Sequence, residues 1–236
     1  MAFFDIFLSE EKKIAKNRHR LTSKDSQPED REIAARWLVE NGTPKAILAA
    51  LSRFDMRLEH QLNDKEEKEF LYALLSSKGE AIVKPLRSWL RQCRHVGLPL
   101  RMYEEFTSEE RTTKLVIKLL QKEFEKDNFK PLKKNALLVW LAGKKVDGAV
   151  EIASLLLGDF DEEVRCSAAE VLISQKDGVS EILEAAMTKE GEDSNRLRHR
   201  IAKAFADRGW SVSSPEKMKE VLPEGYTIRE GRVVAV

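Results

Sequence analysis

The feature of this sequence that most constrains its fold is a pattern of twelve residues that recurs along the chain. Its clearest copy runs from Asp161 to Leu172 and reads D-x-x-V-R-x-x-A-A-x-x-L, with an aspartate that can cap a helix and apolar residues at helical spacing. The copies end at six anchor positions, Leu38, Leu75, Phe106, Leu141, Leu172 and Phe205. Successive anchors lie 37, 31, 35, 31 and 33 residues apart, which is typical of stacked helical repeats.

The residues after each anchor predict a second helix in every repeat. A glycine follows five of the six anchors within two to six residues, where a helix end favours a left-handed residue. Thr43-Pro44 and Ser214-Pro215 then have the form of an N-cap followed by a first-turn proline. Because a single short helix cannot bury its apolar stripe alone, neighbouring repeats are expected to stack.

We therefore expect an all-α fold, an α-solenoid of about six two-helix repeats with atypical ends. Residues 1–27 are predicted to form an N-terminal helical cap, with Ser9 as a helix N-cap and a linker over 21–27. Residues 223–236 alternate around a Glu-Gly turn and predict a short C-terminal hairpin or extended cap. The solenoid covers 28–222, and its repeats are predicted at about 28–60, 64–95, 98–126, 130–158, 161–190 and 194–222.

This repeat closely resembles the HEAT-like repeat of the kind also found in bilin lyases, and the whole chain is similar to uncharacterised bacterial HEAT-repeat proteins. The resemblance implies that Asp161 and Arg165 belong to ladders between neighbouring repeats and have a structural role. It also implies that the second helices line a concave surface. The other ladder cations that it implies are Arg31, Lys68, Lys134 and Arg198. The tetratricopeptide alternative lacks its Trp-Leu-Gly-Tyr and Ala-Phe-Pro positions.

Nothing in the sequence indicates catalysis, a metal or a cofactor. The four histidines are far apart, without an H-E-x-x-H motif or a Cys/His cluster. None of the eleven glycines belongs to a nucleotide-binding loop or a nucleophile elbow. We therefore expect a protein that is not an enzyme and that has no catalytic, cofactor-binding or metal-binding residues.

Charge placement gives a candidate binding surface. Two second helices are predicted to carry stripes of cations, one with Lys84, Arg87, Arg91 and Arg94 and the next with Arg111, Lys114, Lys118 and Lys122. A third set consists of Arg196, Arg200 and Lys203. One interpretation is an ordinary solvated surface, neutralised by nearby acids. The other is a groove for phosphates or for an acidic or amphipathic segment of a partner protein.

Two classes of function follow. The first is a non-enzymatic scaffold that binds another protein through the two stripes. The alternative is a nucleic-acid-binding or base-repair protein, since a family of alkylpurine DNA glycosylases is also built from HEAT-like repeats. Trp89 near Arg91 and Glu104 is the closest approach to such a site, and a net charge of +1 counts against it. Bilin-lyase-like chemistry is a weaker third possibility.

The chain opens with MAFFDIFL, in which Phe3, Phe4 and Phe7 are the aromatic residues. These side chains are expected to cover the first apolar face of the solenoid, with contact to a partner or, less favoured, a peripheral membrane contact through residues 1–21 as alternatives. The run lacks the features of a signal peptide, and no stretch is apolar enough to span a membrane. Because Cys93 and Cys166 suggest no disulfide framework, we expect a cytoplasmic protein.

Overall fold

A computed structural model describes residues 9–125, 131–175 and 178–236. Helix makes up 70% of the structure, which confirms the all-α class. The thirteen α-helices of the described residues are α1 Glu10–Thr22, α2 Pro28–Asn41, α3 Pro44–Leu51, α4 Gln61–Ser76, α5 Val83–Leu90, α6 Gly97–Glu105, α7 Glu109–Glu125, α8 Pro131–Leu141, α9 Ala149–Leu156, α10 Glu162–Ser174, α11 Ser180–Met187, α12 Asn195–Arg208 and α13 Pro215–Val221. Short 3-10 helices cover Ser52–Asp55 and Gly79–Ile82, and two strands follow, β1 Tyr226–Arg229 and β2 Arg232–Ala235.

Two compact units divide the chain, an N-terminal unit Met1–Thr112 and a C-terminal unit Thr113–Val236. Within the N-terminal unit, α2 packs on α4 and α4 packs on α6. The helices between them also meet, because α3 contacts both α1 and α5. Within the C-terminal unit, α8 packs on α10 and α10 on α12, while α11 contacts α12 and α13. The helices that carry the repeated pattern are therefore neighbours inside each unit.

The anchor residues of the pattern lie in the core, with one exception. Leu38, Leu75, Leu141, Leu172 and Phe205 have no exposed surface (0%). Phe106, which ends one of the weak copies, is instead half-buried at the C-cap of α6. Met102 and Tyr103, one turn earlier, are buried in its place.

Most of the predicted helix ends are confirmed. The side chains of Ser9, Thr43 and Asp161 each accept a backbone hydrogen bond from the first turn of the helix that follows. Gly42 and Gly209 adopt the left-handed conformation just after α2 and α12, with φ of 70° and 63°. The predicted pair Ser214-Pro215 is confirmed only in part. Pro215 begins α13, but the side chain of Ser214 makes no capping hydrogen bond in the described residues.

The predicted C-terminal hairpin is also confirmed. Its strands pair antiparallel, with Tyr226 opposite Ala235 and Arg229 opposite Arg232. The two residues of the turn, Glu230 and Gly231, both have positive φ, 48° and 72°, as a type I′ turn requires. Strand β2 packs on α12. The hairpin therefore covers one side of the last pattern helix.

Three of the five cations that the resemblance placed in ladders pair with an acid on the next pattern helix or in the loop just before it. Arg31 on α2 pairs with Glu67 on α4 at 2.7 Å. Arg165 on α10 pairs with Glu192, just before α12, at 2.9 Å, and Lys134 on α8 pairs with Asp159, just before α10.

The other two ladder cations have local partners. Lys68 pairs with Asp64 on its own helix at 2.6 Å. Arg198 donates to the carbonyl of Glu192 in the loop before its own helix, at 2.5 Å. The carboxylate of Asp161 caps α10, while the guanidinium of Arg165 pairs with Glu192. The pairs of Arg31, Lys134 and Arg165 therefore join neighbouring pattern helices, whereas those of Lys68 and Arg198 do not.

Candidate binding surface

Helix α5 carries the first predicted stripe of cations, although it is shorter than the pattern indicated. Lys84 and Arg87 are exposed on α5, while Leu86 and Leu90 on its other side are buried. A proline at the third helical position, Pro85, is tolerated because the first turn needs no donor there. The exposed side of α5 is therefore cationic.

The prediction that Arg94 extends this helical stripe is wrong, because α5 ends at Leu90. Arg91 occupies the C-cap position. Arg94 lies in the turn beyond it, where its backbone N–H donates to the carboxylate of Asp55 at 3.0 Å. The N–H of His95 donates to the same carboxylate at 2.8 Å. The carboxylate of Asp55 thus accepts the backbone N–H groups of the turn after α5, at the place where the pattern predicts a further helical turn.

A single pocket of about 300 Å³ brings together three of the predicted cations, Lys84, Arg87 and Arg111. All three belong to the N-terminal unit and are exposed. The hydroxyl of Ser108 accepts the backbone N–H of Arg111 at 3.3 Å. This bond lies in the first turn of α7, so the start of α7 contributes Arg111 to the pocket. The remaining residues of this basic pocket are Glu80, Val83, Tyr103 and Phe106.

The cations of the basic pocket are not neutralised by neighbouring acids. Within the described part of the chain, the side chains of Lys84, Arg87 and Arg111 form no ion pair or hydrogen bond, and the hydroxyl of Tyr103 forms none either. Glu80 is the only carboxylate among the residues that line the pocket, so three cations and one anion leave a formal charge of +2.

The second predicted stripe continues along α7 in the C-terminal unit. Lys114, Lys118 and Lys122 are exposed, and Val116 and Leu120 on the other side of the helix are fully buried. This side of α7 is therefore cationic, as the pattern indicated.

The third set of cations has acidic partners throughout. Arg196 pairs with Glu163 at 2.6 Å and Arg200 pairs with Glu170 at 2.7 Å. The hydrogen bond from Arg196 holds the pKa of Glu163 below its ordinary value. Lys203 pairs with Asp207 at 2.6 Å. The three cations line a groove of about 620 Å³ together with Glu170, Asp207, His199 and Tyr226, and the acids make it a neutralised surface.

A groove of about 750 Å³ with a mixed lining lies on the other side of α5, where α1, α3 and α5 contribute the apolar residues Ile14, Leu48 and Trp89. Glu11 and Lys45 form an ion pair at this groove. The side chain of Trp89 is only 7% exposed. It therefore offers little ring surface on which an extruded base could stack, which disfavours a glycosylase-like site built on Trp89.

Sequence reasoning missed a buried ion pair in the C-terminal unit. Glu123 on α7 and Lys133 on α8 lie 3.1 Å apart, with side chains 1% and 0% exposed. No pattern in the sequence indicates this pair, because Lys133 directly precedes the predicted ladder cation Lys134 and the two resemble an ordinary charged helix surface.

The described residues contain no cluster of histidine, cysteine and acidic side chains that could hold a metal ion. Both cysteines are buried and unbonded to each other, and burial raises the pKa of the Cys166 thiol. None of the helices in this part of the chain is long and apolar enough to cross a membrane. Phe3, Phe4 and Phe7, the predicted N-terminal contact, lie outside the described residues.

Comparison of the chain with protein-family models, curated proteins and solved structures gives no match. The similarity to HEAT-like repeats therefore stays a prediction from the repeated pattern. Function has to be inferred from the geometry of the surface.

Proposed function

We propose that this chain is a non-enzymatic scaffold that binds an acidic or amphipathic segment of a partner protein on its basic surface. The observation that carries this proposal is the basic pocket, where Lys84, Arg87 and Arg111 lie together without acidic partners in the described residues. Unpaired cations that share a pocket attract anionic groups.

The scaffold in this proposal is an α-solenoid of about six HEAT-like repeats over residues 28–222, with end caps at 1–27 and 223–236. Neighbouring pattern helices pack on each other within each unit, and ion pairs such as Arg31 to Glu67 join them. Stacked two-helix repeats commonly present extended surfaces to partners. Two buried cysteines that form no disulfide suit a reducing cytoplasm.

The contrast between the cation sets also favours a specific surface. Arg196, Arg200 and Lys203 are each paired with an acid, as expected of a helix surface that serves only solubility. Lys84, Arg87 and Arg111 have no such acid in the described part of the chain. The two sets together make a matched experiment possible, because each contains three cations.

The test neutralises one set at a time. Purified protein immobilised as bait, with extracts treated with nuclease, is expected to capture a partner. The variant Lys84→Gln/Arg87→Gln/Arg111→Gln is expected to bind the partner at least about tenfold more weakly, since losing even one hydrogen bond to a charged group costs about 1.5–3 kcal/mol. Binding of the purified partner is measured by calorimetry.

The control is Arg196→Gln/Arg200→Gln/Lys203→Gln, which changes the net charge by the same amount and should keep the affinity. If both variants lose the partner equally, net charge and not the basic pocket is responsible. If all binding disappears with nuclease, and a mobility shift with DNA or RNA persists at about 150 mM salt, the nucleic-acid alternative replaces the scaffold.

A further inference from the structure

We infer that the basic pocket is a phosphoryl-binding site, which takes a phosphorylated side chain on the partner segment. This inference rests on the proposed function, because it names the chemistry that the same surface recognises. Three observations carry it: the charge of the pocket, its set of donors, and the apolar residues beside them.

The charge of the pocket matches a phosphoryl group better than a carboxylate. Lys84, Arg87 and Arg111 face only one acid, Glu80, so the pocket has a formal charge of +2. A phosphorylated side chain carries a charge of about −1.5 to −2 at neutral pH. A carboxylate carries a single negative charge, so it would leave about half of the positive charge unbalanced.

The donors of the pocket suit several oxygens at once. Each of the two arginines, Arg87 and Arg111, offers a planar fork that can bind two oxygens of a phosphoryl group, and Lys84 adds a point charge. Tyr103 also lines the pocket, and its side chain is only 3% exposed. Its hydroxyl has no partner within the described residues. It is therefore a fourth donor, held by a side chain that is fixed by the core.

Apolar residues in the pocket favour a phosphorylated side chain over the free ion. Val83 and Phe106 belong to the same pocket and are half-buried. They can contact the carbon atoms that carry the phosphoryl group, a contact that inorganic phosphate lacks. A volume of about 300 Å³ lies at the low end of the range for small-molecule sites, which suits one modified side chain.

The experiment titrates the full chain with defined probes and follows its backbone amide and arginine Nε–H signals by NMR. The probes are inorganic phosphate, glycerol 3-phosphate, and the capped tripeptides Ala-phosphoserine-Ala and Ala-Glu-Ala. We expect saturable shifts of Arg87 and Arg111, and at least about tenfold tighter binding of the phosphoserine peptide than of the glutamate peptide, because charge-assisted bonds to a phosphoryl group are stronger and more numerous.

Single variants locate the site. Arg87→Gln and Arg111→Gln should each weaken the phosphopeptide by about tenfold or more, and Tyr103→Phe by about tenfold, as expected for a lost hydrogen bond to a charged group. Arg196→Gln, from the neutralised set, should leave the affinity unchanged. Amide signals away from the pocket report whether each variant is still folded.

Several outcomes would overturn the inference. A phosphoryl site is excluded if neither phosphate nor the phosphopeptide gives a saturable shift up to about 50 mM. A dissociation constant above that concentration is too weak for a functional site. Equal affinity for the glutamate peptide assigns the pocket to carboxylates. If inorganic phosphate or glycerol 3-phosphate binds as tightly as the phosphoserine peptide, the pocket does not recognise a phosphorylated side chain in particular. If no phosphate compound binds but binding of the captured partner still depends on Lys84, Arg87 and Arg111, only this inference is wrong. If phosphate binds but the partner binds equally well without these three cations, the scaffold proposal is wrong.

Discussion

Individual lysines and arginines of this chain lie in three distinct environments, and these environments decide what each residue does. Arg31 and Arg165 pair with acids across neighbouring helices. Lys133 is paired inside the core. Lys84, in contrast, lines the basic pocket without an acidic partner in the described residues. Of these four residues, only Lys84 has no partner in the described part of the chain and is available to a ligand.

The buried pair of Glu123 and Lys133 gives a prediction about stability. The substitution Lys133→Met leaves the Glu123 carboxylate without a cation in a site that water does not reach. We expect the free energy of unfolding in urea to fall by about 3–5 kcal/mol, as when one partner of a buried pair is removed.

The control for this pair is the double variant Lys133→Met/Glu123→Leu, which removes both charges. It should recover most of the loss, because apolar replacements of a buried pair are often neutral or stabilising. A single variant as stable as the natural chain would show that the two charges are not buried together.

At the residue scale, the sequence predicts which positions are exposed better than it predicts their partners. The helical stripes correctly place Lys84, Arg87 and Lys118 at the surface. They do not distinguish Arg196, which pairs with Glu163, from Arg87, which has no acidic partner in the described residues. Partners come from other helices, and their approach depends on tertiary packing that helical spacing does not contain.

Elements of the N-terminal unit are joined by a network around Asp64 on α4. Arg53, from the 3-10 helix Ser52–Asp55, donates to Asp64 at 2.9 Å, and Lys68 donates to it at 2.6 Å. The N–H of Leu58 donates at 3.2 Å. Burial acts to raise the pKa of Asp64, but these hydrogen bonds outweigh it and hold that pKa below its ordinary value.

Stability of this network should therefore depend on pH in one direction. A carboxyl group whose pKa is lower in the folded state than in the unfolded chain stabilises the fold above the unfolded-state value, and the contribution is lost as the pH falls through the folded-state value. We expect Asp64→Asn to lower the free energy of unfolding by about 1.5–3 kcal/mol at pH 7. The difference from the natural chain should shrink as the pH drops below about 4.

Urea unfolding at several pH values measures this effect. Glu69→Gln serves as the control, since Glu69 is exposed and lies 3.8 Å from Lys65, where a surface pair contributes less than about 1 kcal/mol. An Asp64→Asn variant whose deficit stays constant down to pH 3 would contradict the role assigned to this carboxylate.

At the scale of elements, local chemistry was a good guide and long-range contacts were not. The caps at Ser9 and Asp161 and the Glu230-Gly231 turn are set by residues next to them in sequence, and they appear where predicted. The end of α5 was missed because Asp55, almost forty residues earlier, accepts the amides of the turn that follows. The apolar periodicity by itself predicts a helix that continues to Arg94.

For the whole molecule, the repeated pattern predicts an all-α chain, and the alternation within residues 223–236 predicts a short hairpin or extended cap. The described chain is mostly helical and ends in a two-stranded hairpin. The division into two units at Thr112 was not predicted, and it falls inside α7. A helix that runs through such a division has an unbroken apolar stripe, so neither spacing nor composition marks the position. The candidate site was found only in part, because Tyr103 carries no charge and so stood outside the stripes.

Deletion of residues 1–8 tests the proposed N-terminal cap. Ile14, Leu48 and Trp89 give apolar surface to a groove of the N-terminal unit, and the deleted segment contains five large apolar side chains. If the segment covers apolar surface, its loss should lower the melting temperature by about 2–4 °C for each kcal/mol of stability that it contributes.

A variant with Phe3→Ser, Phe4→Ser and Phe7→Ser should reproduce the deletion, because it keeps the length and removes the aromatic surface. Melting is followed by circular dichroism, together with binding to liposomes and to the captured partner. An unchanged melting temperature with loss of either binding activity would replace the cap by a membrane or partner contact.

The basic pocket has one more consequence, which concerns the protein without its ligand. Lys84 and Arg87 lie three residues apart on one helix, close enough to repel each other, and Arg111 adds a third like charge to the same pocket. The repulsion between these cations lowers the stability of the fold without a ligand, compared with neutral side chains at the same positions. This is the trade-off between stability and activity that is common at binding surfaces. The part of the surface that is least favourable in isolation is therefore the part that an anion stabilises most.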